Sequence, residues 1–209
     1  MQDKDFIRVD YSGKIKESDK TLGEAKNAPL IVGAGYVIKG VDEALKKMKV
    51  GEKKTIEVPA EKGFGKRDTK LIKLIPESEF RKRDKKPQIG MIVDIKNIRG
   101  RIISVSGGRV KVDFNHPLAG KTLVYEIEIK KRIEKPEEKI KAILEAYSGI
   151  SKIEVIIKEK EAEIKIPPFV NSLVKKKTAD DVMKFLDIEK VKFVEVFERI
   201  KEKIKEVSK

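Results

Sequence analysis

Cys and His, the side chains that most readily move a proton or hold a soft metal near neutral pH, are almost missing from this 209-residue chain. There is no Cys and a single His, His116, in the run NHPLAG. Disulfides and Cys-based metal sites are therefore excluded. His116 lacks ligand partners, so it is expected to stabilise a turn, and no metal or cofactor is expected. What the chain does offer is aromatic and aliphatic residues set among Gly turns. They crowd into Val32–Gly65 (VGAGYVIKGVDEALKKMKVGEKKTIEVPAEKGFG) and recur in Phe114–Ile129 (FNHPLAGKTLVYEIEI). Such residues do no acid–base work. They can enclose a dry pocket that favours a transition state less polar than its ground state.

The elements that must position them follow from periodicity. Residues 5–16 (DFIRVDYSGKIK) alternate as a half-buried strand does, with Ser12-Gly13 as a bulge, and polar residues 17–28 read as a loop. Val41, Ala44, Leu45 and Met48 fall on one helical face. Asp42 and Glu43 near its start and Lys46, Lys47 and Lys49 near its end suit the helix dipole, and Gly51 suits the turn beyond. Lys53–Val58 alternates again.

At this point the two quoted blocks resemble the FKBP family of peptidyl-prolyl isomerases. The second block lies some 45 residues beyond where a minimal FKBP would place it, a gap that resembles the SlyD-like and archaeal long-type members, which carry a domain inserted in the flap. The resemblance covers about residues 1–135 and implies an enzyme that twists X–Pro amides. That rotation has a barrier of ~20 kcal/mol and needs no proton transfer. By resemblance, the catalytic pocket comprises Tyr11, Val37, Ile38, Val41, Phe64 and Tyr125, with the Ile38 N–H as donor and Val41 as the floor. Leu22 and Leu30 are wall candidates. Two departures stand out: Leu22-Gly23 replaces the family's Phe-Asp pair, and Phe64 replaces its usual Tyr, removing a hydroxyl.

The expected fold class is α+β. An FKBP antiparallel sheet wrapped on a short helix spans 1–68 plus 114–135, a small β-rich insert spans 69–113, and a C-terminal α/β domain spans 136–209. In the insert, LIKLI reads as a strand, Pro76–Phe80 as a helical turn and RKRDKKPQ as a solvated basic loop. Three alternating strands follow, turned by Arg99-Gly100 and Gly107-Gly108. The resemblance implies that the insert holds unfolded polypeptide, through Leu71, Ile72, Ile75, Phe80, Met91, Ile92 and Val93.

Net charge is +14, and residues 69–113 hold 12 basic against five acidic residues, half of the excess. A basic surface attracts anionic partners: nucleic acid, ribosomes or acidic unfolded chains. A nucleic-acid or ribosome-associated role on an FKBP scaffold is thus the alternative reading, although no aromatic-interleaved basic stretch supports it. The Lys/Glu-rich, amide-poor composition is typical of hyperthermophile proteins. With no long apolar run and no apolar N-terminal region, a cytoplasmic chain without membrane contact is expected.

Residues 136–209 match no family by inspection. Pro136–Ala146 reads as a helix, Ile153–Lys158 and Ala162–Ile166 as strands, and Thr178 as the N-cap of the helix ADDVMKFL. Residues 190–198 alternate as a strand, followed by a helix that carries Ile200, Ile204 and Val207. Phe169, Phe185, Phe193 and Phe197 in so small a unit leave apolar surface to cover, so a homodimer through 136–209 is expected.

Overall fold

The computed structural model describes residues 1–81, 86–95 and 97–197. The first sheet is built from β1 (Phe6–Ile15), β2 (Thr21–Ile31), β3 (Lys53–Val58) and β8 (Leu123–Ile133), in the order β2-β1-β8-β3. All of its pairings are antiparallel. Helix α1 (Lys39–Leu45) lays Val41, Leu45 and the following Met48 on one face, against Ile7, Val9, Val58, Leu123, Ile127 and Ile129. The polar run that reads as a loop is instead the edge strand β2. Its residues pair with β1 across the whole length of that strand, and backbone hydrogen bonding there outweighs a composition poor in strand formers. The irregularity beside Gly13 falls on the partner: Gly13 pairs with Gly23 and Lys14 with Thr21, leaving Leu22 as the extra residue.

A second sheet, β4-β7-β6-β5, comprises β4 (Ile72–Pro76), β5 (Ile92–Ile95), β6 (Ile98–Ser106) and β7 (Arg109–Asp113), with the short helix α2 (Glu77–Arg81) after β4. Gly107 and Gly108 both take positive φ, and Ser106 pairs with Arg109 across that two-residue turn. The other hairpin does not turn at Arg99-Gly100. Ile95 pairs with Ile98, and Asn97 holds φ 64°. Gly100 instead lies buried within β6, where Val112 and the Phe114 ring fill the place of a Cβ.

The C-terminal unit consists of α3 (Pro136–Ser148), β9 (Glu154–Lys158), β10 (Glu161–Ile166), α4 (Ser172–Phe185) and β11 (Lys190–Glu195), with sheet order β11-β10-β9. Pro136 opens α3, and Gly149, at φ 72°, closes it by returning its N–H to the Glu145 carbonyl. Thr178 does not cap α4. Asn171 does, its side chain accepting the Val174 N–H, so the helix starts two turns earlier. Thr178 is buried inside the helix with its Oγ1 unpartnered. The helix expected after residue 198 lies outside the described residues. The architecture is α+β, and among the described residues no helix is long and apolar enough to cross a membrane.

The C-terminal unit does not stand apart from the first sheet. Phe6, Ile31 and Ile133 are buried in one cluster with Ile140, Ile143 and Leu144 of α3 and Val182 of α4. A bulge makes this possible. Val9 pairs with Ile129 but Arg8 pairs with Lys131, so Lys130 is an extra residue in β8. It reverses the pleat, and Ile133 faces the same side as its partner Phe6. The Phe6 ring also meets Phe185 edge-on at 6.4 Å.

Phe6→Ala should therefore destabilise the chain by about 3 kcal/mol, as expected for a fully buried Phe. It should also separate guanidinium unfolding into two transitions, one for each unit. A single transition with an unchanged midpoint would show that the two units do not share a core.

Candidate functional site

Strand alternation builds the site. On β1 the face toward α1 carries Ile7, Val9 and Tyr11. Across it on β8, Tyr11 pairs with Ile127 and Gly13 with Tyr125. Helix α1 supplies the floor, with Val41 buried against this sheet. The loop between β2 and α1 brings Tyr36, Val37 and Ile38 over one side, and Leu30 at the end of β2 forms the wall. Together Val9, Tyr11, Leu30, Tyr36, Val37, Ile38, Val41, Tyr125 and Ile127 enclose a cavity of about 250 Å³.

The cavity is predominantly apolar, with three tyrosines as its polar side chains: Tyr11 and Tyr125 from the neighbouring strands β1 and β8, and Tyr36 from the loop. Burial holds the Tyr125 hydroxyl above its ordinary pKa, and neighbouring Tyr11 adds to the effect. Tyr125 is therefore protonated throughout the neutral range and available as a donor. A larger cleft of about 410 Å³ lies beside Tyr11, but Asp10, Glu24, Lys53, Glu126 and Glu128 line it. Its charged walls keep water in place, so it offers none of the desolvation that the apolar cavity does.

Five of the six residues assigned to catalysis by resemblance meet in the smaller cavity, together with Leu30. Phe64 and Leu22 pack against the same core without lining the cavity. The Phe64 ring stacks on His116, centroids 4.3 Å apart and planes within 3°. His116 in turn accepts the Leu118 N–H at Nδ1 (3.2 Å) and the Ala119 N–H at its carbonyl (2.9 Å), which fixes the NHPLAG turn. Val9, Ile127 and Tyr36 were not anticipated. Val9 and Ile127 sit two residues from Tyr11 and Tyr125, so strand periodicity could have found them. Nothing in the local pattern marks Tyr36.

The insert residues divide. Phe80 and Val93 are buried with Ile102, Val110 and Val112 in the insert's own core, because so small a sheet needs them there. Ile75 and Met91 pack partly against that core. Leu71, Leu74, Ile89, Ile92 and Ile98 are exposed. Pairing aligns Ile72, Asp113, Arg101 and Ile92 in one row across the sheet, so its open face is apolar at both edges and charged between them.

Gly13 is what lets the Tyr125 ring lie where it does. A Cβ on Gly13 would stand 2.4 Å from the ring's Cε1 atom. Gly13→Ala should destabilise the chain by about 1–3 kcal/mol and alter the near-ultraviolet dichroism of its tyrosines. In a Tyr125→Ala background the same substitution should cost almost nothing. A full cost in both backgrounds would show that the ring and the glycine do not constrain each other.

The chain is similar to known proteins over these units. Residues 73–118 match the family model described as FKBP26, IF domain, and residues 136–198 match the one described as FKBP26_C-terminal. A short-type peptidyl-prolyl cis-trans isomerase of Methanocaldococcus jannaschii is 40% identical over 141 residues, 60% of this chain and 90% of that protein. A probable FKBP-type 16 kDa peptidyl-prolyl cis-trans isomerase of Pseudomonas fluorescens is 35% identical, over 59% of this chain and 85% of its own length. The SlyD isomerase of Escherichia coli is 30% identical, over 66% and 73%. With the apolar cavity, the inserted sheet and these relatives together, the chain belongs to the FKBP-type peptidyl-prolyl cis-trans isomerases, in their long, insert-bearing form.

Proposed function

We propose that this chain twists X–Pro amides in the cavity beneath Tyr125 while its insert holds unfolded client, and that the segment 136–209 joins two copies. The convergence of five family-matched residues on one apolar cavity carries the first part. A planar amide has a large dipole that water solvates. The twisted amide has lost resonance and much of that dipole, so a dry cavity favours it. Val41 and Ile127 exclude water, the Ile38 N–H holds the substrate carbonyl, and the protonated Tyr125 closes the pocket. No group changes its protonation state.

Client capture is supported by the insert's surface. Among the described residues its outer strands β4 and β5 each pair on one side only, and Leu74 and Ile92 on them are exposed. An extended client can add to such an edge through its backbone, with apolar contacts and basic neighbours supplying affinity for unfolded, acidic segments. Pairing of two copies is supported at the other end of the chain. Phe169, Leu173 and Phe197 are 76%, 62% and 77% exposed. Ile166 is aligned with Glu195, so the residues following β10 and β11 come to the same end of that sheet. A second copy covering this patch would remove it from water, and two prolyl sites would then surround one client.

A single assay tests the catalytic and client readings. Tyr125→Ala should lower kcat/KM on a proline tetrapeptide by more than about tenfold, by opening the cavity to water. Replacing 69–113 by a short flap should leave tetrapeptide turnover measurable but sharply reduce catalysis on an unfolded proline-containing protein. An unchanged rate for Tyr125→Ala removes the pocket, and equal losses on both substrates remove the insert's role. For the pairing, sedimentation of the full chain at micromolar concentration should give a dimer, and residues 1–135 a monomer. A monomeric full chain, or a dimeric truncated one, refutes it.

A further inference from the structure

Tyr36 belongs at once to the cavity and to the contact with the C-terminal unit. Its ring lines the cavity beside Leu30 and Val37. It also lines the seam where β2 meets α3, with Ile31, Ala142, Ile143 and Ala146. Its hydroxyl donates to Oδ2 of Asp181, on α4. The Tyr147 hydroxyl, near the end of α3, donates to the same oxygen at 2.5 Å. The two rings lie 5.8 Å apart, tilted by 59°.

The loop that Tyr36 sits on is held by packing of Ala34, Val37 and Ile38 and by this side-chain bond to the C-terminal unit. Gly33 and Gly35 both take positive φ, residues 32–35 form a turn, and Tyr36 and Val37 follow it in a bend outside any helix or strand. The flanking backbone anchors are the Gly33 N–H on Asp42, the Ala34 N–H on the Ile31 carbonyl, and the Ile38 carbonyl, which accepts the Val41 and Asp42 N–H groups. Between them, the Tyr36 side chain ties the loop to the C-terminal unit. Val37 and Ile38, whose backbone holds substrate in the proposed mechanism, follow it directly in the chain.

We infer that Asp181 is a positioning residue for prolyl isomerisation: by accepting the Tyr36 hydroxyl it fixes the loop that presents Val37 and Ile38, so the C-terminal unit completes the wall of the prolyl pocket. The inference rests on the pocket reading above. Its chemistry is consistent with the environment of the two phenols. Burial, and then the bond to Asp181, push both hydroxyls above their ordinary pKa, so each is a donor and the carboxylate accepts both. A charge-assisted bond of this kind restrains a ring far better than packing in a half-open seam does.

The test uses the full chain and measures kcat and KM separately on proline tetrapeptides, with thermal unfolding alongside. Asp181→Asn and Tyr36→Phe should each raise KM by about tenfold, the equilibrium equivalent of one hydrogen bond to a charged group, with kcat changed far less. The double variant should be no worse than either single one, since both remove the same tie. Tyr147→Phe also releases Asp181 from a partner but does not line the cavity. It should lower the unfolding temperature and leave KM unchanged. If Asp181→Asn and Tyr36→Phe lower the unfolding temperature but leave KM as it was, while Tyr125→Ala abolishes turnover, the bond is merely structural and the inference fails. If Tyr125→Ala has no effect either, the pocket itself is misplaced and both readings fall. Tyr36→Phe removes one hydroxyl without adding volume, so it decides the matter even if Asp181→Asn does not fold.

Discussion

The pleat of β1 is the constraint on which the rest depends. Successive side chains of a strand point to opposite faces, and at its start this strand has both faces covered. Ile7 and Val9 face α1, and Val9 lines the apolar cavity. Phe6, one residue earlier, faces the C-terminal unit and is buried in its core. A slip of one residue would exchange these sets, so pocket and docking face are fixed by a single register. The extra residue Lys130 in β8 is part of the same device, because it lets Ile133 join Phe6 while Ile129 stays beneath α1.

Polar contacts then specify how the second unit sits. Arg8 shares the face of Phe6 and grips Glu145 on α3 with two bonds of 2.8 and 2.7 Å, while also donating to the Asn27 carbonyl. Both charged side chains are mostly covered, at 15% and 17% exposure. Desolvation offsets much of their attraction, so the pair contributes orientation more than net stability. The surrounding surface carries many further ion pairs, such as Lys16–Glu57 and Lys53–Glu126, with both partners half exposed. Individually each is worth little at ordinary temperature.

Catalysis by amide rotation suits a chain with no Cys and a single His. A reaction that breaks no bond requires exclusion of water, a fixed carbonyl and a rigid wall. Those requirements are met by packing and backbone geometry, the properties that the β1–β8 ladder and α1 supply. The larger cleft beside Tyr11 differs in kind, because charged side chains line it.

The sequence by itself determined the local elements and the family. The face formed by Val41, Leu45 and Met48, the Gly107-Gly108 hairpin and the Pro136 helix start were all legible, because each depends on neighbours in the chain. Five of the six residues that the resemblance implies for the pocket, Tyr11, Val37, Ile38, Val41 and Tyr125, do line one cavity, while Phe64 does not. What failed lacked a local signal. β2 is a strand because β1 lies beside it, not because Thr21–Ile31 favours one. Thr178 looks like a cap but is buried within a helix that Asn171 starts. Phe6 on the otherwise polar face of β1 was the one visible hint of a second covered face, yet nothing in sequence named its cover. That Asp181 reaches Tyr36, 145 residues away, is decided only by folding, because docking two units brings together side chains whose separation along the chain carries no pattern.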